Sequence, residues 1–176
     1  MSRLGDLVMH PVKTNPDHEV ICAVGRRKSQ RRKMAIIGAY VPPSANAAET
    51  DQFLSYVADL VSVVKNKYSS PYITIAGDFN HRKIGQYLRE YPEVKLVHTG
   101  PTRGRNTLDL VYTNFDEFVK EAITVEPIAN NEGVMSDHLA VHVAATIPRV
   151  PNYSVQTYSY LRQTEQGDDK LSLIHI

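Results

Sequence analysis

The stretch that most constrains the fold is residues 71–80, an apolar run that ends in glycine, aspartate, phenylalanine and asparagine. The β-branched residues between Pro71 and Gly77 predict a short buried strand rather than a helix. Because side chains alternate along extended backbone, we expect Asp78 and Asn80 to project to the same side just beyond this strand. Open α/β sheets place their sites at that edge. The alternative is a strand that ends in an Asx turn, since both residue types favour turns.

The composition is that of an ordinary globular domain. The chain has 176 residues, 42% of them hydrophobic and 22% charged, which suits one domain with a sizeable core and excludes a disordered protein. The net charge of +1 predicts no general affinity for polyanions, so nucleic-acid binding would need a local patch. The single cysteine, Cys22, lies in an apolar run, which predicts a core thiol in a reducing compartment and excludes an internal disulfide.

The expected location is intracellular, nuclear or cytoplasmic. No apolar run approaches the roughly 18 residues that a membrane helix needs. The start of the chain carries no apolar signal segment. We therefore expect a protein that is neither secreted nor bound to a membrane.

Strand-like runs alternating with a few helical patterns predict a mixed α/β sandwich. Apolar runs at 19–25 and 34–41 predict a hairpin, and six of the eight residues from 26 to 33 at its tip are Arg or Lys. This tip is either a solvated turn or a phosphate-binding patch or nuclear localisation signal. Asn46 and Glu49 predict a capping box that opens a helix over the apolar stripe ending near Val64.

The remaining elements complete one domain over residues 17–150. Strands are predicted at 94–98, 107–112, 122–128 and 139–147, with a short helix at 114–120. Residues 1–16 show no firm period and are predicted to be an irregular lead, and residues 151–170 a polar tail or linker. We interpret residues 171–176 as an adapter-encoded artefact and exclude them from the fold.

Three acid-bearing motifs fall at strand ends or within strands: Asp78 with Asn80, Asp109, and Asp137 with His138. Such a set suits hydrolysis of a phosphate ester, which needs an oriented water and a cation that offsets phosphoryl charge. Carboxylate and amide oxygens favour Mg²⁺ or Mn²⁺ over zinc. A carboxylate inside a strand needs a partner, and His138 is the natural partner of Asp109.

Two other chemistries are weaker. His138 and His142 have the spacing of a zinc hydrolase motif, but that motif requires a helix with a glutamate after the first histidine, and this segment alternates as a strand. A Ser-His-Asp triad using Ser136 lacks the nucleophile elbow that such a serine needs.

The ordered motifs resemble the endonuclease/exonuclease/phosphatase family, the DNase I-like proteins. They are residues 40–44 (Tyr-Val-Pro-Pro-Ser), 77–80 (Gly-Asp-Phe-Asn), 102–109 (Thr-Arg-Gly-Arg-Asn-Thr-Leu-Asp) and 136–138 (Ser-Asp-His). In detail the chain is most similar to the endonuclease domain of non-LTR (LINE-type) retrotransposons. The resemblance implies a four-layer α/β sandwich, a DNA substrate, Mg²⁺ or Mn²⁺ as cofactor, and a reverse transcriptase fused in the parent polypeptide.

The resemblance also implies roles for single residues. Asp78 would orient or deprotonate the attacking water, Asn80 would hold that water or the phosphate, and Asp109 would orient His138 against the scissile phosphate. The remaining residues implied are Tyr40 and Thr102 as phosphate contacts, Ser136 as a phosphate contact and support of its loop, and Asp137, with Asp78, as part of the metal cluster.

One departure from the family pattern matters for activity. Family members carry an asparagine on the first strand and soon afterwards a glutamate that ligates the metal, and nothing upstream of Tyr40 matches either. The chain therefore resembles a partial sandwich, the C-terminal part of the domain, and we expect weak or no nuclease activity from it. The alternatives are an inactive remnant that binds nucleic acid or another partner, and a phosphatase of the same fold.

Overall fold

The fold is described from a computed structural model for residues 7–14, 18–27, 32–127 and 136–146. Six strands form one sheet in the order β1-β2-β3-β4-β6-β5, and β7 pairs with β8 in a second sheet. The bounds are β1 (Leu7–Val12), β2 (Val20–Arg27), β3 (Met34–Tyr40), α1 (Ala47–Lys67), β4 (Tyr72–Asp78), β5 (Lys95–Leu96), β6 (Asp109–Thr113), β7 (Val119–Val125) and β8 (Ala140–Ala145). The predicted α/β class and the hairpin of β2 and β3 are confirmed.

The helix α1 joins β3 to β4, the parallel pair of the large sheet. It begins at the predicted capping box, in which the Asn46 side chain accepts from the Glu49 N–H and the Glu49 carboxylate accepts from the Asn46 N–H. Its buried stripe covers the sheet and contains Phe53, Leu54, Val57, Leu60, Val61 and Val64. Helix and sheet together close the hydrophobic core.

The two faces of the large sheet differ in exposure. Cys22 is 3% exposed on the helix side, so the predicted core thiol is confirmed, and its burial raises the pKa of the thiol. Strand alternation turns its neighbour Ile21 to the opposite face, where it is 72% exposed. Ile36 on β3 is also exposed, at 38%. No helix in the described ranges combines the length and apolar character needed to cross a membrane.

The prediction that residues 1–16 are irregular is wrong for β1, which pairs with β2 in antiparallel register. Pro11 lies within β1 opposite Ala23, and a proline is tolerated there because β1 is at the edge of the sheet. The tail and the last six residues lie outside the described ranges, as do residues 28–31 of the hairpin tip.

The predicted helix at 114–120 is wrong. A single 3₁₀ turn spans Asp116–Phe118, and β7 begins at Val119, earlier than the predicted strand at 122–128. The Asn114 side chain explains the turn, because it accepts from the Ile73 N–H and donates to the Pro71 carbonyl. These bonds tie the chain to the start of β4 and leave no room for a regular helix.

Gly77 permits the close contact between β3 and β4. A Cβ at this position would lie 1.8 Å from the Ala39 carbonyl oxygen, which is inside van der Waals contact. Just beyond the end of β3, the Val41 N–H donates to the carbonyl of Asp78, the last residue of β4. The glycine therefore sets how closely the two strands meet where Asp78 is presented.

We expect Gly77→Ala to lower the free energy of unfolding by about 3 kcal/mol or more, because backbone rather than a flexible side chain must move. Urea denaturation followed by circular dichroism measures the change. Gly85→Ala is the matched control, since its new methyl would lie 3.4 Å from the Tyr112 hydroxyl and should cost less than about 1 kcal/mol. Equal costs for the two variants would contradict this account of Gly77.

Candidate active site at the end of β4

Sheet register alone brings three of the predicted site residues into one row. Tyr40 at the end of β3 is opposite Asp78 at the end of β4, and Asp78 is opposite Asp109 at the start of β6. Directly opposed residues point to the same face of a sheet. The row is open to solvent, with Tyr40 38% exposed.

His138 completes the cluster from the segment that precedes β8. Its Nδ1 lies 2.8 Å from the Asp109 Oδ2, so the predicted partner of the strand carboxylate is present. Both side chains are half-buried, 18% and 24% exposed. Asp78, Asp109 and His138 each offer one side-chain atom that could bind a metal ion, and these three donor atoms all lie within 4.8 Å of one another. These three residues are the candidate ligands for a cation.

Asn80 combines the two alternatives that the sequence left open. Its backbone N–H donates to the Asp78 Oδ1 at 3.0 Å, which forms an Asx turn, and its side-chain N–H donates to the Val41 carbonyl at 2.9 Å. The backbone leaves the extended region here, with φ of 42° at Asn80 and 67° at His81. The left-handed turn follows directly on a fully buried Phe79, which anchors it to the core.

The side chain of Thr102, which the sequence predicts to contact the phosphate, is fully buried. Its hydroxyl oxygen accepts from the backbone N–H groups of Leu108 and Asp109, at 3.0 and 3.1 Å. Its carbonyl accepts from the Leu139 N–H at 2.7 Å. Thr102 thus joins the backbone at Asp109 to the residue after His138, beneath the cluster rather than at its surface.

Ser136 and Asp137 are exposed in the segment that carries His138. The Ser136 hydroxyl accepts from the His138 backbone N–H at 3.0 Å, as a residue that supports its loop would. Its contact is with the backbone of His138 and not with the ring, whereas the serine of a triad is hydrogen-bonded to the ring. Asp137 forms an ion pair with Arg103 and is not one of the three grouped donors. The role predicted for Asp137, as part of the metal cluster, stays a prediction.

The site can attract a cation because two carboxylates face each other across adjacent strands. Like charges directly opposed destabilise a sheet unless a positive charge offsets them. Mg²⁺ is commonly held by one or two carboxylates, with water and substrate phosphate completing its shell, so Asp78 and Asp109 fit such an ion. His142 lies within β8 and is exposed, so the helical zinc motif is absent from this segment.

Two contributions were not foreseen from the sequence. The ion pair of Arg103 with Asp137 bridges the 102–109 loop to the segment bearing His138. Arg82 donates from Nη2 to the Ala45 carbonyl and so ties the turn after Asn80 to the entry of α1. The sequence shows that both residues are arginines but not what they contact, since each contact joins segments more than 30 residues apart.

Comparison with known proteins supports the fold. Neither a family model nor a curated protein matches the sequence. Among solved structures, the endonuclease domain of TRAS1, a telomere-specific non-LTR retrotransposon, aligns with 77% of this chain at a TM-score of 0.53 and 14% identity. The D. rerio TDP2 complexed with a single-strand DNA product aligns with 78% at a TM-score of 0.51 and 15% identity.

This chain spans 65% of the TRAS1 domain and 67% of the TDP2 structure. At such identities the likeness concerns the fold alone. The expectation of an α/β fold of the DNase I-like type, present as a partial sandwich, is therefore confirmed.

Proposed function

We propose that the parent protein hydrolyses phosphodiester bonds in DNA with Mg²⁺ or Mn²⁺, as an endonuclease of the non-LTR retrotransposon type fused to a reverse transcriptase. The observation that carries the proposal is the row of Tyr40, Asp78 and Asp109 closed by His138. The TRAS1 endonuclease domain and TDP2 in complex with a single-strand DNA product share the fold and favour a nucleic-acid substrate.

The residues of the cluster divide the chemistry between them. Asp78 would orient or deprotonate the attacking water, and the side-chain carbonyl of Asn80 would hold that water or a phosphate, since its amide group donates to Val41. Asp109 fixes the His138 ring through Nδ1 and leaves the other ring nitrogen, Nε2, for a contact with the phosphoryl group. Tyr40, beside Asp78, is the further phosphate contact.

A bound Mg²⁺ would be held by Asp78 and Asp109 and would offset the charge of the phosphoryl oxygens. Asp137 is less suited to this role than the sequence suggested, because Arg103 already neutralises it. Two carboxylates are a small donor set, and the grouped residues include no glutamate in the described part of the chain. We therefore propose weak or no activity for this chain as it stands, and an inactive DNA-binding module as the second candidate.

Cation binding can be tested without activity. We expect Mg²⁺ to raise the melting temperature of the chain, because an ion that binds only the folded state stabilises it. Asp78→Asn keeps the acceptor of the Asx turn but removes one charge. In EDTA this variant should be more stable by about 0.5 kcal/mol, since two carboxylates no longer face each other, and it should lose the Mg²⁺ response.

Asp137→Asn is the matched control, with the same chemical change outside the three grouped donors, and its Mg²⁺ response should equal that of the native chain. Differential scanning fluorimetry in EDTA and in Mg²⁺ measures both variants. A response lost in Asp137→Asn and kept in Asp78→Asn would reverse the assignment of the ligands.

Nicking of supercoiled plasmid tests the reaction itself. We expect slow conversion to the open circle or none, dependent on Mg²⁺ or Mn²⁺ and further reduced in Asp78→Asn and His138→Ala. Robust nicking that Asp78→Ala abolishes would overturn the expectation of weak activity. Nicking that all three variants retain would overturn the site, and plasmid binding without nicking in either metal would select the inactive module.

Thr102 is expected to stabilise the site as a positioning residue. Thr102→Val removes the oxygen that accepts from two backbone N–H groups, and we expect a loss of about 2 kcal/mol in the free energy of unfolding. Thr102→Ser restores the hydroxyl and should recover all but about 1 kcal/mol, which corresponds to one buried methyl. Urea denaturation compares the two, and a Val variant as stable as the native chain would contradict the role.

A further inference from the structure

The end of the large sheet remote from the candidate site carries a basic cluster. β4 runs from Tyr72 to Asp78, a length of about 20 Å for seven residues of strand. Around its first residue lie Arg32, Lys33 and Lys67, which we call the basic end. None of the three forms an ion pair with any residue in the described ranges, whereas nearby Lys65 is paired with Glu93.

Arg32 is held in one orientation. Its Nε donates to the Ser70 carbonyl at 2.6 Å, and its guanidinium carbon lies 3.9 Å from the centre of the Tyr72 ring. That ring is itself fixed by Phe115, which meets it edge-on at 5.5 Å. The terminal nitrogens have no hydrogen bond to the described residues, so they can donate to two oxygens of one phosphate in a bidentate contact.

The two lysines share a second aromatic ring. The ammonium groups of Lys33 and Lys67 each lie 5.6 Å from the centre of the Tyr68 ring. They are therefore at most 11.2 Å apart, which is twice that distance. The attraction between an exposed ammonium group and a ring is only about 0.5–1 kcal/mol, so the charges remain available to an anion.

The chemistry of the cluster favours a nucleic-acid backbone over a lipid surface. The large hydrophobic side chains exposed in the described ranges are Ile21, Ile36, Tyr40, Val63, Leu96, Ile123 and Val125, and none belongs to the basic end. A membrane-binding surface would pair its cations with such residues. A phosphodiester backbone needs only repeated cations and a planar guanidinium.

We propose that the basic end is a second, non-catalytic site that binds the phosphate backbone of a nucleic acid. The choice of DNA as the ligand rests on the proposed function, while the presence of an anion site rests on the cluster itself. With a net charge of +1, the chain has no general attraction for polyanions, so a local cluster of this kind determines where one binds.

Salt dependence of DNA binding tests the site. A fluorescein-labelled duplex is titrated with the full chain in EDTA at several KCl concentrations, and anisotropy gives the dissociation constants. Removing two phosphate contacts in Lys33→Gln/Lys67→Gln should reduce the slope of log K against log salt by about 2. The control Lys13→Gln/Arg89→Gln makes the same charge change at exposed residues elsewhere and should leave the slope unchanged.

Equal slopes for the native chain and the lysine double variant would overturn the inference, as would equal losses in the two double variants. Unchanged melting temperatures show that the variants fold. Vesicles of phosphatidylcholine with phosphatidylserine should not bind, and binding lost in the lysine double variant would assign the basic end to a lipid surface instead.

The two proposals fail separately. Under the proposed function, Asp78→Asn further reduces nicking. It should leave the salt slope of DNA binding unchanged, because the basic end is at the other end of β4. If the native chain never nicks but the lysine double variant still has the reduced slope, the proposed function fails and the basic end stands. If the native chain nicks but the lysine double variant has an unchanged slope, the basic end fails and the proposed function stands.

Discussion

Two carboxylates directly opposed on neighbouring strands are the constraint on which the site depends. The register of β4 and β6 places Asp78 opposite Asp109, and the sheet holds them there however unfavourable their repulsion. The His138 ring is hydrogen-bonded to Asp109, so one of the two carboxylates has a partner. A bound cation would reduce the repulsion between the two carboxylates.

The segments around this pair are joined by a short series of bonds from the loop after β5 to the segment before β8. The Leu139 N–H donates to the Thr102 carbonyl, Arg103 pairs with Asp137, and His138 meets Asp109. The first two contacts carry no chemistry of their own. They hold the imidazole against its carboxylate, so the geometry of His138 depends on the whole series.

Sequence patterns predicted what local physics determines. The Asn46 capping box, the buried strand before Asp78 and the pairing of Asp109 with His138 followed from caps, periodicity and the cost of a lone buried charge. The edge strand with Pro11 was not visible, because proline excludes a strand only where its partner needs an N–H. The burial of Thr102 was not visible either, since it arises from contacts that no local pattern encodes.

The separation in sequence of the contacts around His138 bears on the order of folding. In the β3–α1–β4 unit one helix with its own capping signal fills the chain between the two paired strands, whereas His138 reaches Asp109 from a segment that precedes a separate sheet. Closing such loops costs entropy before any contact is gained. The helical unit is thus expected to form first and the contact between His138 and Asp109 last, so the helix and its strands can be folded while the candidate site is still unformed.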